Sequence, residues 1–159
     1  MKTALITGAS QGIGAAIADK LNDKKIKVIL VSRSKSKLKT FQKNLKFPKN
    51  SLIISKDLRS LPACNSVAKK IKKLDYLINV AGATKGGKFL NLNDNIWEDG
   101  FNLKFKAAVR LSRAFWPALI RSKGKVINIG GGAARNPSNI FMIGGAVNSA
   151  LNNFSKALA

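Results

Sequence analysis

Histidine is absent from this chain, and cysteine occurs once, as Cys64. The first absence removes imidazole acid–base chemistry and most zinc sites. The second removes an internal disulfide and any cysteine-cluster metal centre, so no metal is expected. Acids are scarce, with seven Asp and Glu against 29 Lys and Arg, a net charge of +22. Tyrosine is single, at Tyr76. No apolar run reaches the roughly 20 residues of a membrane-spanning helix, and no membrane partner is expected. Met1-Lys2 leads straight into an apolar stretch with no leader pattern, which makes a cytoplasmic location the default expectation.

What is present is a 159-residue chain that is 45% hydrophobic, enough for one globular domain with a core. The lysines are scattered, for example Lys20, Lys24, Lys25, Lys69, Lys70, Lys72 and Lys73. They lack interleaved aromatics and any nucleic-acid motif. The reading is a solvated basic surface with no specific nucleic-acid partner; binding of nucleic acid through charge alone stays as an alternative.

The stretch Thr7 to Gly14, TGASQGIG, follows the apolar run Ala4-Leu5-Ile6 and opens the amphipathic run Ile13 to Leu21. Strand, glycine turn and helix in that order form a phosphate-binding element. Glycines allow a sharp turn and close approach, and a helix start offers free N–H groups to an anion. The glycines Gly8, Gly12 and Gly14 are spaced G-x-x-x-G-x-G, unlike G-x-G-x-x-G, and no Gly-Lys-Ser/Thr ending follows.

Along the chain, strands are expected at Lys27–Val31, Leu52–Ser55, Asp75–Val80 and Lys125–Ile129. Helices are expected at Lys35 to about Leu45, Ser60 to Lys73, Ile96 to Ser122 with Pro117 inside, and from about Ile143 onward. Thr84 to Asn95 reads as loop, and Gly130-Gly131-Gly132 as a glycine-rich loop. Alternation of strand and helix predicts an open parallel α/β sheet with right-handed crossovers.

With those elements placed, the chain resembles the short-chain dehydrogenase/reductase family. The likeness rests on TGASQGIG, Asp57-Leu58 after the third strand, and Asn79-Val80-Ala81-Gly82 after the fourth. RLSRA, Arg110 to Ala114, and the terminal KALA add to it. The resemblance implies a Rossmann-like doubly wound parallel sheet binding a nicotinamide cofactor, and hydride transfer with an alcohol or carbonyl substrate. It places Gly8, Gly12 and Gly14 at the pyrophosphate, Ser10 and Gln11 at the adenosine ribose, and Ile13 at the nicotinamide. It gives Asp57 the adenine amino group with Leu58 beside it, and sets Asn79, Ala81 and Gly82 along the adenosine part. After the second strand stands Ser32-Arg33 with no acid, which favours NADP over NAD, because Arg33 can pair with a 2′-phosphate.

The family's catalytic pattern is not matched. Aligning on KALA puts Gly144 at the tyrosine position, Asn148 at the lysine position and Gly131 at the serine position. Matching Trp97 and RLSRA puts Lys104 at the asparagine position. Lysine and asparagine have traded places, and Lys104 is expected to hold the cofactor or donate a proton, with Asn148 opposite. A catalytically inactive NADP-binding pseudoenzyme is the alternative. Family members continue through two more strands and a lid. A fragment-like chain with about five strands is therefore expected, with one sheet edge uncovered and homo-oligomer formation through helix pairs left open.

Overall fold

A computed structural model describes residues 1–159. Five strands form one parallel sheet: β1 Thr3–Thr7, β2 Lys27–Ser32, β3 Ser51–Ser55, β4 Tyr76–Asn79 and β5 Lys125–Asn128. Their order is β3-β2-β1-β4-β5. The chain reverses direction across the sheet between β1 and β4, so a crevice opens there beyond the carboxyl ends of the strands.

The helices are α1 Gly12–Asp23, α2 Lys35–Lys43, α3 Leu61–Lys69, α4 Asp94–Gly100, α5 Ala107–Ser122 and α6 Met142–Leu158. Successive strand residues point to opposite faces, and both faces are apolar. Leu5, Ile29, Val31 and Leu77 pack with Cys64 and Val67 of α3 and Leu111 and Phe115 of α5. Ala4, Ile6, Val28, Leu30 and Ile78 pack on the other side with Ala18 of α1 and Leu38 of α2. A small third cluster joins Leu92 to Ile143 and Val147 of α6. Each fully buried Leu or Ile contributes about 1.5–3 kcal/mol.

The expected alternation is present, with differences at the edges. α3 stops at Lys69, four residues before the expected Lys73, and α2 at Lys43. The expected helix Ile96–Ser122 begins at Asp94, where Asn93 caps it, and is not uniform. Phe101–Lys106 is a π-helical stretch between α4 and α5. That wider turn changes the phase of the side chains on either side of Lys104.

Candidate functional site

The glycine turn is held by its backbone. Gly12 has φ +58, a region where any side chain is strained. A Cβ on Gly14 would overlap the Gly8 carbonyl, so only glycine lets α1 start this close to β1. Gln11 is the N-cap residue of α1, but its side chain makes no capping bond, and the first turn carries no acid. The N–H groups there are free for an anion. Thr7 ties this turn to the next strand: its Oγ1 accepts from the amides of Val80 and Ala81, both at 2.9 Å.

These elements enclose a cleft of about 430 Å³. Of the residues expected at a nucleotide, Gly8, Ser10, Gln11, Gly12, Ile13, Gly14, Ser32, Arg33, Leu58, Ala81 and Gly82 line it. Asp57 and Asn79 do not. The Asp57 carboxylate is paired with Arg59 Nη1 at 2.9 Å. Arg59 also bonds Asp99 of α4, and hydrogen bonding to Asp99 holds its guanidinium above its usual pKa. Asn79 is buried and braces the sheet, donating through Nδ2 to Asn128 Oδ1 at 2.8 Å. Asn128 in turn donates to Ser155 Oγ at 2.9 Å, which anchors α6 to the strand ends.

Two lysines not expected at the site also line the cleft, Lys37 and Lys56. Lys37 Nζ donates to Gln11 Oε1 at 3.0 Å. No acid lines the cleft, and none of Arg33, Lys37 or Lys56 has a carboxylate partner. Ser32 Oγ is buried in the same wall without a hydrogen-bond partner. An orphaned buried hydroxyl beside unneutralised cations fits an anionic, hydrogen-bonding ligand.

At the other end, Lys104 is half-buried, and its stem lies where a Cβ on Gly82 would fall, 2.8 Å from Cδ. Burial pulls its pKa below the usual lysine value. Asn148 is 3% exposed, its Nδ2 would sit 2.7 Å from a Cβ on Gly131, and its Oδ1 has no partner. Gly144 is buried, and the Phe141 ring fills the volume that any side chain there would need. Tyr76 lies at the opposite end of the sheet, its hydroxyl accepting from Lys2 Nζ at 3.0 Å. It takes no part in the cleft.

The model of the short chain dehydrogenase family matches residues 2–159. The chain belongs to that family. As a short-chain dehydrogenase it is 36% identical over 139 residues to a 3-oxoacyl-(acyl-carrier-protein) reductase FabG of Rickettsia typhi, covering 86% of this chain and 57% of the relative. It is 26% identical over 162 residues to an uncharacterized oxidoreductase of Staphylococcus epidermidis, covering 99% of this chain and 70% of the relative. Among solved structures it superposes with a TM-score of 0.94 and 32% identity on a metagenomic short-chain oxidoreductase in complex with NADP, covering 99% of this chain and 74% of that one. The chain thus spans between about half and three quarters of the length of these relatives.

Proposed function

We propose that this short-chain dehydrogenase binds NADP(H) in the cleft and transfers hydride between it and a small-molecule carbonyl or alcohol. The observation that carries the reading is the wall at Ser32 and Arg33, basic, free of acid, and holding an unpartnered hydroxyl. A carboxylate there would favour NAD; its absence makes NAD the weaker ligand. Gly8, Gly12 and Gly14 take the diphosphate on backbone N–H groups. Ser10, Gln11, Ser32 and Arg33 surround the adenosine ribose, and Leu58 covers the adenine. Asp57 reaches the adenine amino group only by sharing its carboxylate with Arg59. Ile13 borders the nicotinamide side, and Ala81 and Gly82 approach the adenosine part, with Asn79 bracing the strand beneath.

When bound, the nicotinamide supplies or takes up the hydride. Lys104 then holds a proton for the substrate oxygen, and burial tunes it toward that task. Asn148 offers an amide beside Gly131 to orient the oxygen. The expected setting is cytoplasmic, and a second copy packing along the long helices is part of the proposal. Titration with NADPH and NADH tests the reading by cofactor fluorescence and melting. A hundredfold excess over Kd stabilises by about 2.7 kcal/mol, a Tm rise of about 5–10 °C for a chain of this size. NADPH is expected to bind tighter; tighter NADH, or no shift with either, overturns it.

A second reading, a cofactor-binding pseudoenzyme, is favoured by Gly131 and Gly144, which offer no hydroxyl, and by Phe141 filling the space at Gly144. NADPH oxidation against a panel of aldehydes and ketones separates the two. Turnover that falls on Lys104→Met supports the enzyme, and binding with no turnover supports the pseudoenzyme.

A further inference from the structure

We propose that the end of the sheet opposite the cleft docks duplex nucleic acid, gripping its phosphates with lysines at the start of every strand. The inference does not rest on the dinucleotide reading, because it concerns the other end of the strands.

The lysines are scattered in sequence, but the fold gathers them. In a parallel sheet every helix-to-strand turn lies at the amino ends of the strands. Here Lys2 precedes β1, Lys27 opens β2, Lys49 precedes β3, Lys73 precedes β4 and Lys125 opens β5, all of them exposed. Thr3 is in register with Lys27, and Ala4 with Tyr76, which is in register with Lys125. Lys2, Lys27 and Lys125 therefore stand on consecutive levels of the sheet. The strand order β3-β2-β1-β4-β5 sets the five lysines side by side in a row. Four strand spacings of about 4.8 Å make that row about 19 Å long. The acids near it do not neutralise it. Asp75 Oδ2 accepts from the Thr3 amide at 2.8 Å, and both ion pairs of the chain belong to Arg59, beyond the other end of β3.

The backbone gives a second, separate sign. Lys25 has φ +59 and Lys123 has φ +51, and they are the chain's two non-glycine residues in the left-handed region. Lys25 follows the C-cap of α1, and Lys123 is the C-cap of α5. Glycine meets least strain in such positions. Both instead carry an exposed lysine at the same end of the sheet. A helix dipole favours a cation in the last turn, which accounts for charge at the helix ends. It does not account for Lys2, Lys27 and Lys125, which stand at the strand starts.

The shape of the charge selects the partner. A duplex carries one charge per about 1.7 Å of its axis, so the row spans roughly ten phosphates. Single strands are held by stacking on exposed aromatics. The aromatics at this end are only partly exposed, and Tyr76 is tied by its hydroxyl to Lys2. An anionic membrane is held best when apolar side chains insert among the cations. The large apolar side chains exposed near these turns are few, Met1 and Ile120. Lysines without a bidentate fork or a reading helix grip phosphates and read no bases, so the binding is independent of sequence.

The test follows a fluorescent duplex of about 20 base pairs by anisotropy against the whole chain, from about 50 to 200 mM salt. One phosphate contact per strand start predicts that log Kobs falls against log salt with a slope of about −4 to −5. Lys25→Gly with Lys123→Gly removes two charges and places glycine where the backbone favours it, so the variant is expected to melt no lower than the parent. Its duplex affinity at low salt is expected to fall about tenfold or more, with the slope shallower by about 1 to 2. Lys27→Thr with Lys125→Thr, at exposed strand starts, is expected to act alike. Lys85→Gln with Lys88→Gln removes the same charge from the exposed loop after β4 and is expected to change affinity less than about threefold. Saturating NADPH is expected to leave the duplex bound. Equal losses in all three variants would mean that binding follows net charge alone and overturn the proposal, as would no binding at low salt. Release of the duplex by NADPH would move the polyanion into the cleft and overturn it too. Tighter binding of the single strand, or of phosphatidylserine vesicles, overturns the choice of a duplex.

Discussion

At the end of the cleft beyond β2 and β3, Arg33, Lys37 and Lys56 stand without a carboxylate, beside the unpaired Ser32 hydroxyl. At the other end, Gly131 and Gly144 offer no side chain, an aromatic ring fills the space at Gly144, and Lys104 is the one half-buried cation named by the sequence. One end is dense with unpaired cations; the other offers few groups able to move a proton. Both ends sit on the same five strands. Seating a nucleotide and transforming a substrate are therefore separable demands on this fold. The first depends on backbone geometry fixed by glycine, and the second on side chains that the strand ends and α6 present.

The binding end breaks hardest at the turn. Gly14→Val drives a branched side chain into the Gly8 carbonyl, which is backbone and cannot step aside. The expected result is a loss of about 1–3 kcal/mol or more of stability. Dinucleotide affinity falls by more than tenfold, because α1 must move away from β1. Chemical denaturation and NADPH titration read the two effects. Unchanged affinity in a folded variant would detach the turn from ligand binding.

The chemistry end is broken by filling it. Gly144→Tyr collides with the Phe141 ring, at an expected cost of about 1–3 kcal/mol. Phe141→Ala alone also costs stability, by leaving a cavity. The double variant is expected to be more stable than the sum of the two losses, since the new ring enters the space the old one leaves. Additive losses would show that Phe141 and Gly144 do not share that volume. Recovery of carbonyl reduction in the double variant would show that the fold still accepts a hydroxyl donor at this place.

How much of this was legible from residues alone differs between the same two ends. The glycine turn could be read because its context is local: an apolar strand before it and an amphipathic helix after it. The five strands follow from apolar runs between helical patterns, whereas their order across the sheet, β3-β2-β1-β4-β5, is set by tertiary pairing. Lys37 and Lys56 could not be singled out, because a chain with 29 basic residues offers many like them. The usable signal was position, since Lys37 falls three residues after the capping Ser34 on the helix that follows Arg33. The Arg59 link to Asp99 spans 40 residues and left no local trace. The π-helical stretch at Phe101–Lys106 was equally silent, since nothing in hydrophobic spacing marks a wider turn. Gly144 could be located by alignment, but that a phenyl ring three residues earlier fills its place is a fact of packing.

Lys104 sharpens the comparison through pH. Burial holds its pKa below the usual lysine value of 10.5, so the folded chain binds that proton less tightly than the unfolded chain. Below the folded pKa both states are protonated, and the buried charge is a fixed cost. As pH rises from the folded value toward the ordinary one, the unfolded state holds more protons and the cost is relieved. Lys104→Met keeps the stem on Gly82 and removes the charge. It is expected to raise Tm at neutral pH, with the gain shrinking as pH climbs into the lysine range. Melting curves of both proteins across that range check the sign. No gain at all would place the ammonium in water, and a gain that does not shrink would come from methionine packing and not from the buried charge. In carbonyl reduction the parent's rate should fall over the same interval, as the proton is lost.

The smallest effect lies at the joint between the ends. Arg59 bonds Asp57 after β3 and Asp99 on α4, and its carbonyl accepts from Arg110 Nη1 of α5 at 2.6 Å. The arginine is 24% exposed and its acidic partners 47% and 49%, so solvent screens both pairs. Exposed pairs contribute about 0.2–1 kcal/mol each, and Arg59→Ala is expected to cost about 1 kcal/mol, less at high salt. The same substitution frees the Asp57 carboxylate toward the cleft. If Asp57 accepts from the adenine amino group, Arg59→Ala weakens stability while leaving NADPH affinity equal or slightly higher. A parallel loss of affinity would instead mean that the ion pair, and not the free carboxylate, shapes the adenine wall. The two ends would then be coupled through α4, and the separation between binding and chemistry would hold only for the backbone.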